Sequence, residues 1–204
     1  MEEERQHTVM CENENIKFKK KKNNMACTNV TLAGITLGCE TSKGGIQTVY
    51  LVQASDVESV ALDTENQMIQ TITLGASKTW KEYQFRKNTG SMTSTLNVDE
   101  TTGNNYVTTE VSLVFSKMET AKRIEMAGLA IGQFAIIVKD SNEKYWYIGP
   151  KNNGGEYVSS SAGTGTTGTA KTDQNAYTLT LSADTDSYPF EIDPTKIDTI
   201  IAGA

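Results

Sequence analysis

From residue 48 onward the chain is a succession of short β-prone segments broken by turn signals. That pattern constrains its fold more than any other feature. Threonine occurs 28 times and proline three times, and β-branched residues suit a pleated, half-buried surface. Residues 48–54 (TVYLVQA) are β-rich, and residues 68–74 set Ile69, Thr71 and Thr73 imperfectly against Met68, Ile72 and Leu74. Residues 79–87 alternate more cleanly, with Trp80, Glu82, Gln84 and Arg86 on one face and Tyr83 and Phe85 on the other. The NTG triplet at 88–90 predicts a hairpin into a strand over 91–98. TTGNN at 101–105 predicts the next turn, then a long strand over 106–115 that sets Val107, Val111 and Leu113 against Glu110, Ser112 and Val114. Residues 134–139 (FAIIVK) read as a buried strand that turns at 140–142 and returns as KYWYIG. YTLTLSA at 177–183 is the last clear strand, followed by 188–192 and a terminal apolar run at 197–201.

One segment has a different period. In residues 117–132 (KMETAKRIEMAGLAIG), Met118, Ala121, Ile124, Ala127 and Ile131 recur at steps of three and four. This predicts an amphipathic helix of about four turns, stopped by Gly132. Residues 150–172 are rich in Gly, Ser and Thr and read as a long loop of functional or flexible character. No repeat of 20–50 residues is evident. The expected fold is mainly β: an antiparallel β-sandwich or barrel with one flanking α-helix, in a single domain over 25–204 with extended arms.

Residues 1–24 stand apart. They hold five Glu, five Lys and one Arg, with a like-charge run from Lys19 to Lys22 and no apolar period. Such a leader does not bury enough to fold alone. It reads as a disordered tail or as a non-native extension, with Met25 as the natural start. The leader carries +1 and the whole chain -6, so the remaining residues carry -7. An acidic body is unsuited to a phosphate-neutralising surface.

The only histidine is His7, within that leader. From Met25 on there is no imidazole for a Ser-His-Asp or Cys-His mechanism or for a His-ligated zinc. No enzyme is expected. Cys11, Cys27 and Cys39 are odd in number and contain no C-x-x-C pair, so neither a disulfide framework nor a zinc motif is read from them. Gly163 and Gly168 have the spacing of a phosphate loop, but Thr169 and Ala170 follow and Lys171 comes two places late. Asp184 and Asp186 are spaced like the start of a calcium loop without its Gly or distal Glu. They read as a solvated turn, with a weak ion site left open. Asp140, Asn142 and Glu143 fit an Asx turn. Trp80, Tyr145, Trp146 and Tyr147 suit either a sugar-stacking platform or core and interface anchors. No catalytic, cofactor-binding or metal residue is assigned, and no cofactor is expected.

No run of 18 apolar residues exists, so no transmembrane helix is expected. A lipoprotein signal ending at Cys39 is the rival reading of the N-terminal region. Its hydrophobic stretch, ACTNVTLAGITLG, contains Asn29 and three Thr, and Thr36 stands where an aliphatic residue is wanted. On that alternative the chain is a surface-anchored β-sandwich binding module that contacts glycan or protein.

Several stretches together resemble tail-tube-like structural proteins of tailed bacteriophages, of the kind carried by phages and prophages of Bacteroides-like bacteria. The opening ACTNVTLAGITLGCETSKGGIQTVYLVQASDV is similar to their starts through Cys39, Gly44, Gly45, Ile46, Val49, Tyr50, Leu51, Asp56 and Val57. The later order is similar too: LVFSK, ETAKRIEMAGLAIG, FAIIVKD, KYWYIG, a Gly-rich stretch and YTLTLSAD. The resemblance spans nearly all of residues 25–204. It implies a β-sandwich with one helix, self-assembled into rings of six copies whose sheets join into an inner barrel. It also implies stacking into a tube that carries DNA without sequence-specific binding, other phage tail proteins as partners, no membrane, and assembly in the host cytoplasm into a virion. The position within the tail, as tube, hub, terminator or connector ring, stays open. Assembly contacts are expected from the arm at 26–45, the loop at 150–172 and the terminus at 188–204.

Overall fold

The computed structural model describes residues 34–63, 65, 67–151 and 156–203. The leader, with His7 and Cys11, and the first part of the arm, with Cys27, lie outside them. Two units are distinguished, residues 1–40 and 41–204. Of the first, residues 34–40 are described, as irregular and exposed chain.

The second unit is mainly β, 49% strand and 13% helical over the chain, with a sheet that does not close. Its strands are β1 (Ile46–Gln53), β2 (Val57–Leu62), β3 (Ile69–Leu74), β4 (Lys81–Gln84), β5 (Ser91–Asp99) and β6 (Asn104–Ser116). Helix α1 (Thr120–Ile131) follows, then β7 (Gln133–Asp140), β8 (Tyr145–Ile148), β9 (Val158–Thr166), β10 (Ala176–Thr185), β11 (Phe190–Ile192) and α2 (Ile197–Ala202).

Strand β7 is the hub. It pairs with β1 along one edge and with β8 and β9 in turn along the other. From there the sheet forks into two limbs. One runs β9–β10–β6–β5. The other runs β8–β11–β3–β2, with β1 and β4 beyond the opposite edge of β7. Every pairing is antiparallel except β3 with β11. The hub position explains why FAIIV does not alternate: five consecutive residues are buried because both faces of β7 are covered. Phe134, Ile136 and Val138 join Val49, Leu51, Leu113, Leu179 and Leu181 in a core shared by both limbs. Ala135 and Ile137 join Val52, Ile69, Tyr147 and Ile192 in a second core that α2 covers with Ile197 and Ile200.

Four expectations are corrected. The NTG triplet does not make a hairpin, because β4 pairs with β1 and β5 pairs with β6. The chain instead crosses between limbs there, and Gly90 lets it pass: a Cβ would stand 2.5 Å from the Phe85 ring and 2.6 Å from Ile46. Residues 150–172 are not loop throughout, since β9 lies inside them and pairs with β10 over most of its length; residues 152–155 lie outside the described residues. Gly165 belongs to that strand because a Cβ would crowd Tyr177 at 3.0 Å and Met118 at 3.2 Å. The helix is present but rotated. It buries Leu129 and packs Met126 on the core, while Ile124 and Ile131 are exposed. Its inner face is fixed by hydrogen bonds from Tyr83 to Glu125 and from the Lys122 ammonium to the Ser116 carbonyl. Finally, a second helix, α2, forms from the terminal apolar run.

Candidate functional site

The limb β9–β10–β6–β5 has a feature that no local motif announces. Its four strands contain no Lys, Arg, His or Pro. Pairing register sorts their residues into two faces. Inward lie Val107, Thr109, Val111, Leu113 and Phe115 of β6 and Leu179, Leu181 and Ala183 of β10, all buried. The one buried hydroxyl among them, Thr109, is satisfied by Ser94 across the strand pair at 2.9 Å.

The outward face is mostly hydroxyls, with three acids, Asp99, Glu110 and Asp184, and with Val114 among them. Ser91 pairs with Ser112, which pairs with Thr180 and then Ala162. Thr93 pairs with Glu110 and then Ser182, and Thr95 pairs with Thr108 and then Asp184. A hydrogen-bonded line crosses three strands: the Asn97 amide donates to Thr108 at 2.9 Å, and the Thr108 hydroxyl donates to Asp184 at 2.7 Å. Thr, Ser and Asn on a solvated face hold the pleat without placing a cation on it.

Both outer strands of this limb are open. Among the described residues strand β5 pairs only with β6, without a register shift over its nine residues. Strand β9 pairs with β10, and β7 covers its other edge only at Val158 and Ser159. Natural edges are normally blunted by lysine, proline, a bulge or short length. Strand β5 has none of these. The β5–β6 hairpin also projects beyond the core and leaves Leu96 and Val98 half exposed or more, at 50% and 59%.

Other edges of the molecule are blunted. Strand β4 is four residues long and carries Lys81 and Glu82. Strand β2 is closed in part by the Lys151 carbonyl, which accepts from Val60 N–H at 3.0 Å.

The remaining sequence candidates are dispersed. Asp184 serves the Thr108 line, whereas Asp186 is ion-paired with Lys151 at 2.9 Å, which holds its carboxyl below the usual range. Among the described residues no group of three or more His, Cys, Asp or Glu is placed to hold a metal ion. Gly163 lies within β9, and the amides of Thr169 and Ala170 after Gly168 are occupied by the Asp173 carboxylate at 2.8 and 2.7 Å. Those two donors, Ala170 first, hold the Asp173 carboxyl low.

The four aromatics do not share a face. Trp80 is buried in the second core, with an indole N–H that meets no acceptor among the described residues. Tyr147 is buried, its hydroxyl donating to the Pro150 carbonyl at 2.6 Å, and desolvation pushes its pKa up. Trp146 donates to Asp140 at 3.2 Å, and Tyr145 lies under Lys139.

Asp140 does make the expected Asx turn, accepting from the amides of Asn142 and Lys144. Asn142 has a role the sequence does not announce: its side chain clamps the Lys43 backbone by two hydrogen bonds, at 2.8 and 3.0 Å, and so pins the root of the arm. Among the described residues no helix is long and apolar enough to cross a membrane.

Comparison with protein-family models, with curated proteins and with solved structures finds no match to this chain.

Proposed function

We propose that this chain is a ring-forming structural subunit of a phage tail tube, or of a related ring in a tail, through which DNA passes. The observation that carries the reading is the cation-free, hydroxyl-lined sheet bounded by the unblunted edge of β5 and by β9, which β7 covers only at its start and whose ladder with β10 carries a bulge. An edge of β5 on one copy and an edge of β9 on the next are different surfaces, so their pairing is head-to-tail, the kind that forms a ring where the rotation between copies closes. Closure removes the open edges, which is the physical use of a barrel.

The dimensions are consistent. Six copies would contribute four strands each, about 24 in all. At ~4.8 Å per strand and a tilt of ~40°, such a wall is about 150 Å around and about 48 Å across between backbones. Side chains narrow that bore, yet a B-form duplex still fits. Burial of the inner face against the rest of the molecule leaves the hydroxyl face for the lumen. Phosphates there would meet Glu110, Asp184 and neutral hydroxyls with no Lys or Arg on the strands, so DNA passes without adhering.

Negative-stain microscopy of the purified protein tests the reading. Rings or tubes with a central lumen are expected. Discrete monomers over the whole accessible concentration range, with no rings on the grid, would overturn it.

A further inference from the structure

The crossing between the limbs, residues 85–90, carries cations that the fold does not use. Arg86 and Lys87 stand on it and Lys43 lies beside it. Among the described residues none of the three forms an ion pair. An open cleft of about 440 Å³ lies there, with Lys43 and Lys87 in its lining, Ile46 and Phe85 as its apolar part, and no acid. Such a cleft is an exception in a chain of net charge -6.

The opposite sign lies at the other end of the same limb. Residues 88–116 contain no Lys, Arg or His, and their acids are Asp99, Glu100 and Glu110. Asp99 and Glu100 stand at the tip of the β5–β6 hairpin, where Asp99 accepts from the amides of Thr101 and Thr102 and so fixes the turn. The ladder of β6 with β10 ends at Val107, and the hairpin overhangs it. On that overhang Val98 is 59% exposed and Tyr106 43%.

We propose that the tip of this hairpin on one copy docks on the 85–90 crossing of a second copy, with Glu100 toward Lys43 and Lys87 and Val98 toward Phe85. The inference rests on the ring-forming reading above: pairing of β5 with β9 makes a ring, and this contact sets one ring on the next in a single direction. Charge complementarity selects the occupant, since an acidic tip with no cation on its strands meets a cleft with cations and no acid. Geometry makes it a second copy. Gly90, just before β5, sits against Ile46 and Phe85 of the cleft. From Ser91 an unbroken ladder carries β5 about 26 Å away to Asp99. A paired hairpin does not fold back over that distance to its own cleft. Because the two charges stand at opposite ends of one strand direction, copies placed head to tail along it bring them together, and the contact repeats. Complementary charge of this kind sets partner and orientation more than raw affinity.

The test uses the full chain with a photo-reactive benzoylphenylalanine in place of Val98, mixed as unlabelled and heavy-isotope protein. Cross-links to residues 43–47 or 85–88 that join a light chain to a heavy one are expected. Links confined to single chains, mixed links only to other surfaces, or no mixed links at any concentration would overturn the proposal. Charge reversal guards it. Glu100→Lys, and separately Lys43→Glu with Lys87→Glu, should each weaken end-to-end association by at least about tenfold in analytical ultracentrifugation. Each should leave single rings on the grid and keep the parent's thermal midpoint. All three changes in one chain should restore tubes. Tubes that persist in both reversals, or that fail to return in the combined variant, would overturn the contact. So would binding of a short DNA duplex that the lysine reversal abolishes while stacking is unchanged, since the cations would then serve a polyanion. Mixed links from tip to crossing without rings on the grid would keep this contact and retire the tail-tube reading. Rings without such links would do the reverse.

Discussion

The two limbs that leave β7 use the same β-prone code to different ends. The centre of one, where β1, β7 and β8 meet, is buried on both faces. Its margins carry cations in partnered positions: Lys144 on Glu191 at 2.9 Å, Lys151 on Asp186 at 2.9 Å and Lys139 over the Tyr145 ring. The other limb is buried on one face only, and its four strands carry no cation at all. Exposed ion pairs contribute little to stability, so the difference is not one of holding the fold together. It concerns what the outer surface is permitted to touch. The first limb is finished by its own chain. The second ends in strands whose outer edges are largely unpaired among the described residues, and its outward face carries no cation; on the proposed reading an assembly completes it.

The comparison breaks most visibly at the hub. Ile137 is fully buried, on the face of β7 that serves the second core. Ile137→Ala should cost about 2–5 kcal/mol of unfolding free energy, because the cavity sits where neighbouring strands leave little room to collapse. Thr180→Ala, on the outward face of β10, should stay within about 0.5 kcal/mol. Urea denaturation of the two variants beside the parent reads both values. Equal losses would mean that the outward face contributes to the fold as the hub does.

The edge of β5 should separate folding from assembly. Thr93→Lys with Thr95→Lys places the charge that natural edges use on a strand that lacks it. Inner-face packing through Met92 and the pairing with β6 are untouched. The unfolding midpoint should therefore move little while rings disappear from the grid. The same double change on β4, a strand that already carries Lys81 and Glu82, has no such meaning. Rings that persist in the β5 variant would show that this edge is not a joint.

Most strands were legible because period-two alternation is a local property. FAIIVK, the long β6 and YTLTLSA all stand where their sequences place them. Helix α1 was legible as a helix but not in its orientation. Its apolar stripe through Ile124 and Ile131 is outermost, because the helix is held by Tyr83 on Glu125, by Lys122 and by Leu129 instead. Strand β9 was hidden by composition: SSAGTGT reads as loop until the 176–185 segment supplies its ladder. The open sheet was not legible at all. It depends on β10 pairing with β6 across more than 60 residues, and no local signal says which strands will be left at an edge. Even the cation-free character becomes visible only once those four segments are known to be neighbours.

The smallest effect lies at the tip of the projecting hairpin. Asp99 ends β5, and its carboxylate accepts from the amides of Thr101 at 2.8 Å and Thr102 at 3.3 Å. Hydrogen bonding from the Thr102 side chain, then from these amides, holds its pKa below the ordinary value. A carboxyl depressed in the folded state contributes order that is present above its unfolded pKa and is lost as pH falls through the folded one. Asp193 is held by Thr195 in the same way, but in the turn that leads into α2 and the second core. Acid should therefore act on the two limbs unequally. Protonation of Asp193 loosens a turn tied to a core, whereas protonation of Asp99 frays only a tip that overhangs one. In proton–nitrogen spectra of the parent, the Thr101 and Thr102 amides should shift as pH is lowered from about 5 to about 2. In Asp99→Asn that acid transition should vanish from both amides while the global unfolding curve is unchanged. A transition that survives in the variant would assign it to another carboxylate. A shifted unfolding curve would tie the hairpin tip to the core and erase the distinction between a finished limb and an unfinished one.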